Sequence, residues 1–220
     1  MKLLNFKAIG FTSLLFVLLS VSTMPFTACN KEETPIPPPP PPPVVITYPA
    51  ENNIIGRAFP SSDFSTSVVN GASYYYEMGF RFSVTKKGKL TKMGVKTPES
   101  GTYRVVLWDA TTKAVLGQIS CTHQNALEYT TVATGVVNLA VGKDYYITFQ
   151  TLGQQRYGIT PKVGTSITYP RPVGFINIKE YGYYSALLTT DNGSVPKFPT
   201  IFDNTFARGF PEFEFQPDPE

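Results

Sequence analysis

The chain has 220 residues, 19 basic and 16 acidic, with one histidine and two cysteines. This near-balance of charge, with no basic cluster interleaved with aromatics, gives no reason to expect a nucleic-acid partner. One histidine excludes the common zinc sites unless several carboxylates join it, and two cysteines allow at most one disulfide.

Residues 1–28 have the form of a bacterial secretory signal. Lys2 and Lys7 precede an apolar stretch from Ala8 to Val21, and the small residues Thr27 and Ala28 stand before Cys29. The apolar run is shorter than the roughly 20 residues of a membrane span. The expectation is lipidation at Cys29, with the mature chain starting there and the membrane as its partner through the anchor. Acyl chains would contribute roughly 0.8 kcal/mol per buried methylene. Loss of Lys2 and Lys7 leaves a net charge of +1. Asn30-Lys31-Glu32-Glu33 resembles the export signal of surface lipoproteins in the Bacteroides phylum. That resemblance implies the outer membrane, with the protein facing outward at the cell surface. The other reading of these residues is a solvated charged patch. Pro35 to Pro43 includes seven consecutive prolines from Pro37. Such a run is a stiff polyproline spacer of about 3.1 Å per residue. Residues 29–43 thus read as a lipidated tether.

Residues 44–220 read as one all-β domain, an antiparallel β-sandwich of jelly-roll or immunoglobulin-like type. Phe80, Phe82 and Val84 alternate with Arg81, Ser83 and Thr85. Tyr145, Ile147 and Phe149 alternate with Tyr146, Thr148 and Gln150, and Phe213 and Phe215 with Glu212, Glu214 and Gln216. Period two marks strands with one face on a core and one in water. Tyr103 to Trp108 is apolar on both faces, as in a central strand. Turn signals separate these pieces, among them Asp109-Ala110-Thr111, Val141-Gly142-Lys143-Asp144 and Asp191-Asn192-Gly193. Thr160 to Pro199, with its prolines and tyrosines, reads as long connections holding one or two strands, for example Phe175 to Ile178.

Cys121, unpartnered if Cys29 is lipidated, reads as a small buried residue. His123 sits in the polar stretch Cys121 to Asn125 and reads as a solvated loop histidine. Paired carboxylates would suit glycoside hydrolysis, and Asp63, Glu77, Asp109, Glu128, Asp144, Glu180, Asp191 and Asp203 are the candidates; most lie at turns. No phosphate-cradling glycine loop and no Asp-x-Asp run is present, so no cofactor and no metal is expected. Trp108 reads as core. Arg156, Tyr157, Tyr181, Tyr183, Tyr184 and Asn192 are the expected ligand-binding surface. Exposed tyrosine rings stack on sugar faces, and guanidinium and amide groups fix orientation.

The order of several pieces resembles an uncharacterised bacterial family, the domain of unknown function 4082. The pieces are Glu77-Met78-Gly79-Phe80-Arg81-Phe82, Gly101-Thr102-Tyr103, Leu107-Trp108-Asp109-Ala110, Lys143-Asp144-Tyr145-Tyr146, Arg156-Tyr157 and Phe198-Pro199-Thr200. The resemblance covers roughly residues 76–216. It implies an extracellular β-sandwich, often attached to carbohydrate-active or adhesive proteins, and carries no catalytic residue. Family members tend to have a tryptophan before the strand that starts here at Glu128 to Val132, and an aspartate where Phe206 to Phe210 stands. Together these readings lead to a non-catalytic surface lipoprotein that binds a glycan or another surface macromolecule. The alternatives are a small hydrolase using two carboxylates, or a structural envelope component.

Overall fold

The computed structural model describes residues 39–126 and 128–220. The signal segment, Cys29 and the charged patch after it lie outside the described residues. Pro39 to Pro43 are exposed and carry no regular structure. Val44–Glu220 form one unit, and within it β-branched and aromatic runs become strands wherever turn residues free them.

The unit opens with a short helix, α1 (Ile54–Ala58), followed by β1 (Phe64–Val69), β2 (Tyr74–Val84), β3 (Gly88–Lys96), β4 (Gly101–Asp109) and β5 (Val115–His123). Then come β6 (Thr130–Leu139), β7 (Asp144–Leu152), β8 (Arg156–Pro161), β9 (Arg171–Val173) and β10 (Ile176–Leu187). The last strands are β11 (Ile201–Asp203), β12 (Ala207–Arg208) and β13 (Phe210–Pro217). They form a large sheet in the order β11-β10-β2-β7-β4-β5, with β9 also on β10, and two three-stranded sheets, β13-β3-β6 and β1-β8-β12. The strand pairs are antiparallel. The protein is an all-β antiparallel sandwich, as the period-two alternation requires.

The core lies between the large sheet and the two smaller ones. Met78, Phe80, Phe82 and Val84 of β2 face it, as do Tyr145, Ile147 and Phe149 of β7. Leu90, Met93 and Val95 of β3 and Phe213 and Phe215 of β13 meet them from the other side. Phe82 stacks on Phe213 with ring centroids 4.6 Å apart. Each such ring removes a large apolar area from water, worth about 1.5–3 kcal/mol when fully buried. Cys121 is buried with them, as expected.

The outer face of the large sheet is also covered. Val106, Trp108 and Tyr146 form a second apolar cluster beneath Phe198, whose ring meets Trp108 edge-on at 5.7 Å and Tyr146 at 5.4 Å. This explains why β4 is apolar on both faces: residues 188–200 lie across it. Beside that cluster Glu77 is buried in a polar network. It accepts hydrogen bonds from Tyr75 (2.8 Å), Thr148 (2.9 Å) and Arg104 (2.8 Å).

Two sequence expectations need correction. The strand expected around Phe175 to Ile178 runs on to Leu187 as β10. It pairs with β2 along its whole length, with a bulge between Ile178 and Glu180. The bulge breaks the alternation that would have marked one long strand. His123 is not a solvated loop residue. It ends β5 opposite Gly101 and is buried. The Thr97 carbonyl can only accept, so the His123 Nε2–H donates to it (3.0 Å) and the Thr130 hydroxyl donates to Nδ1 (3.0 Å).

Candidate functional site

α1 is too short to hold itself together by helix propagation; it is held by what it covers. Ile54 and Ile55 are buried, and the Ile54 N–H donates to Glu212 Oε1 of β13 (2.8 Å). Asn53 enters α1 in the left-handed region at φ 50°, without a side-chain cap bond of its own. Glu212 therefore serves as a remote cap for a helix that lacks a local one.

This docking leaves a groove between α1, β1 and the β13-β3-β6 sheet. Its wider hollow has a volume of about 460 Å³ and is lined by Asn53, Gly56, Ser65, Thr66, Lys96, Lys162 and the rings of Tyr129 and Phe210. A second hollow of about 330 Å³ adjoins it at Asn53 and Tyr129, and takes in Asn52, Lys92, Thr131, Glu212 and Glu214. Such volumes match small-ligand sites, which run from about 300 to 1,000 Å³.

The sheet register sets the groove floor. Phe210 pairs with Lys96, Glu212 with Gly94 and Glu214 with Lys92. Phe210, Glu212 and Glu214 share one face because they alternate with Pro211 and Phe213. The Lys96 ammonium lies 5.2 Å from the Tyr129 ring centroid, and 6.0 Å from those of Tyr157 and Phe210. Three rings thus hold one cation at the groove wall. Tyr157 meets Phe210 edge-on at 5.9 Å, and its hydroxyl donates to the Ala126 carbonyl (2.5 Å).

Charges in the second hollow are set apart by their surroundings. Glu212 is 1% exposed. Oε1 takes the Ile54 and Phe213 N–H groups, while Oε2 has no partner among the described residues. Burial pushes its carboxyl up to about 7, against the pull of those N–H groups. Lys92, with Thr91, holds the Glu214 carboxyl below its usual range. Burial, and then the charge of Glu212, push the Tyr129 phenol up, so its hydroxyl stays neutral.

Gly56 fits here because there is no room for more. A Cβ would lie 2.1 Å from Asn53 Oδ1 and 2.6 Å from the Tyr129 hydroxyl. In an open helix Gly→Ala would stabilise by about 0.5–1 kcal/mol. Here Gly56→Ala should destabilise by about 1–3 kcal/mol, as crowding of a packed site does. A urea-denaturation midpoint checks this, and an unchanged or raised midpoint would refute the close packing.

The six ligand-surface residues expected from the sequence lie in three places. Tyr157 is buried beside the groove, where it lines a small hollow of about 50 Å³ with Thr66, Lys96 and Phe210. Arg156, its neighbour on β8, points elsewhere, with its guanidinium 4.0 Å from the Tyr76 ring centroid and donating to the Asn70 carbonyl (3.2 Å). Tyr181 and Tyr183 pack with Tyr76, Phe80 and Phe206, because β10 turns them onto the inner face. Arg156 and Tyr181 are 2% and 1% exposed, so neither is the open surface expected of it. Tyr184 and Asn192 lie on the outer face. Tyr184 packs on Tyr75 and donates to Asp191 (3.2 Å), and the Asn192 side chain caps its own turn by accepting from the Ser194 N–H (3.0 Å). The groove residues Asn53, Lys96, Tyr129, Phe210 and Glu212 were not singled out. The strand alternation placed Glu212 outward in water, and only the docking of α1 buries it.

Among the described residues no three His, Cys, Asp or Glu side chains form a metal-holding group. Compared with protein-family models and with curated proteins, the chain matches none.

Proposed function

We propose that this chain is a non-catalytic, lipid-anchored cell-surface module that binds a glycan through the groove beside α1. The observation that carries the reading is the lining of that groove. The aromatic rings of Tyr129 and Phe210 line it together with the amide, hydroxyl and ammonium groups of Asn53, Ser65, Thr66 and Lys96, and Tyr157 lines a small side hollow with Thr66, Lys96 and Phe210. Saccharides need this mixture of apolar faces and directional polar partners. The signal, Cys29 and the proline tether support display on the outer membrane, and the resemblance to the domain of unknown function 4082 points the same way.

A glycan array probed with the full chain tests the reading. Binding is expected on a subset of glycans, falling at least tenfold in Tyr129→Ala while Tyr184→Ala, on the opposite face, keeps it. Binding lost in Tyr184→Ala but kept in Tyr129→Ala would move the site to the outer face.

One observation favours a second reading as a hydrolase. Glu212 and Glu214 line one hollow with their protonation pulled in opposite directions, as an acid and a base or nucleophile require. Against it, Glu212 Oε1 is occupied by two backbone N–H groups and Glu214 by Lys92 and Thr91. Release of reducing ends from a bound polysaccharide, abolished in Glu214→Gln with binding retained, would establish the enzyme instead.

A further inference from the structure

Within that reading of the groove, we infer that its ligand carries a carboxylate or sulfate group on one sugar unit and an uncharged unit beside it. The charge order along the groove motivates this. The wider hollow is lined by Lys96 and Lys162 and by no carboxylate. The Lys162 ammonium donates to the Ser61 carbonyl. Among the described residues neither lysine has an acidic partner; Lys89, Lys113 and Lys143 share that state, while Lys86, Lys87, Lys92, Lys179 and Lys197 each have one. What sets Lys96 and Lys162 apart is that both line one hollow. Lys96 is held over three rings, yet its ammonium donates to no acceptor among the described residues. An ammonium has three donors, and ring faces occupy none of them in a directed bond. A neutral sugar filling this hollow returns only neutral hydroxyl and ring-oxygen acceptors for the water it strips from two cations. A ligand anion supplies the missing acceptor in a charge-assisted bond.

The adjoining hollow has the opposite character. It holds Glu212, with an unpartnered and buried Oε2, and Glu214, against one lysine that Glu214 already occupies. A second anion placed there would face carboxylates. An uncharged unit meets no such repulsion, and its hydroxyl or amide groups face the polar side chains of Asn52, Thr131 and Glu214. Asn53 and Tyr129, shared by both hollows, mark the boundary between the units. A uniformly anionic polymer, nucleic acid included, fits this order worse than an alternating one.

Affinity electrophoresis of the full chain in gels containing hyaluronate, polygalacturonate or dextran reads this directly. Hyaluronate alternates a carboxylate sugar with an uncharged amide sugar; polygalacturonate carries a carboxylate on every unit; dextran carries none. Hyaluronate is expected to retard the protein most. Lys96→Gln should weaken that binding about tenfold, as loss of a hydrogen bond to a charged group does. Lys96→Arg should keep it, and added salt should weaken it in the wild type more than in Lys96→Gln. Equal or stronger retardation by polygalacturonate overturns the charge order. Retardation by dextran, lost in Tyr129→Ala but indifferent to Lys96→Gln, overturns the anionic ligand while leaving the glycan groove intact. Retardation by none of the three overturns the inference. Binding of a neutral glycan on the array would then keep the broader reading, and a silent array would remove that as well. The thermal midpoint of each variant separates lost binding from lost folding.

Discussion

Replacement of Glu77 by Ala should cost about 3–5 kcal/mol of stability, the range for removing one partner of a buried ion pair. Glu77 is fully buried on the outer face of β2. Its Oε2 accepts from the Tyr75 hydroxyl (2.8 Å) and from Arg104 Nη2 (2.8 Å). Oε1 accepts from the Thr148 hydroxyl (2.9 Å), which in turn accepts from the Trp108 indole N–H (2.9 Å). Residues on β2, β4 and β7 are therefore tied across three neighbouring strands by one carboxylate. Without it the Arg104 guanidinium stays largely buried with no counter-charge, and that uncompensated cation is the main cost.

The same network holds the segment over the sheet. Arg104 Nη1 donates to the Gly193 carbonyl (2.8 Å) and to that of Ser194 (3.3 Å). Gln150 donates to the Gly193 carbonyl as well (2.6 Å). Loss of Glu77 removes the charge that orients Arg104 toward these acceptors and weakens both bonds, so residues 188–200 should become more open to protease and to amide exchange than the inner core. Urea denaturation measures the first effect and hydrogen exchange the second. The double replacement Glu77→Leu with Arg104→Met should recover most of the loss, because an apolar pair in the same volume often matches a buried ion pair. A cost below about 1 kcal/mol for Glu77→Ala would place the pair among weak surface bridges and refute this account.

The sheets were legible in the sequence because their signal is local. Phe80, Phe82 and Val84, then Tyr145, Ile147 and Phe149, then Phe213 and Phe215 alternate within a few residues and face the core as predicted. The turn at Asp191 to Gly193 was equally local: Gly193 adopts φ 69°, and its N–H donates to Asp191 Oδ1 (2.9 Å). Where a bulge interrupts the period, as at Ile178 to Glu180, the signal fails, and Tyr181 was read as surface when it is core. His123 was read from its polar neighbours, although Thr97 and Thr130, which bury and satisfy it, are 26 and 7 residues away. The groove was not legible at all. Asn53, Lys96, Tyr129 and Phe210 come together only through the docking of α1 and the pairing of β13 with β3. No spacing rule within one strand encodes that meeting. Tyr157 was chosen as an exposed aromatic, but it is buried beside the groove and its hydroxyl, expected to face a ligand, is tied to Ala126.

Glu212 turns that docking into a pH dependence of stability. Burial lifts its carboxyl in the folded protein to about 7, from an ordinary value near 4.5. The folded chain then binds more protons at this group than the unfolded chain between those values. Linkage makes stability fall as pH rises through that interval. The stabilisation is fully present below about pH 4.5 and is lost as pH rises through about 7. A shift of this size corresponds to about 3 kcal/mol. The groups that face Glu212 set the sign. The Ile54, Ile55 and Phe213 N–H groups and the Arg57 charge favour the carboxylate; burial, the larger influence, opposes it. Glu212→Gln keeps an oxygen for the helix N–H groups and removes the titration. The variant should show a flatter stability–pH profile than the wild type between pH 5 and 8, and should be the more stable of the two at pH 8. Urea midpoints taken across that range decide the matter. Parallel profiles would mean that Glu212 remains ionised throughout and that α1 is held by a full carboxylate charge.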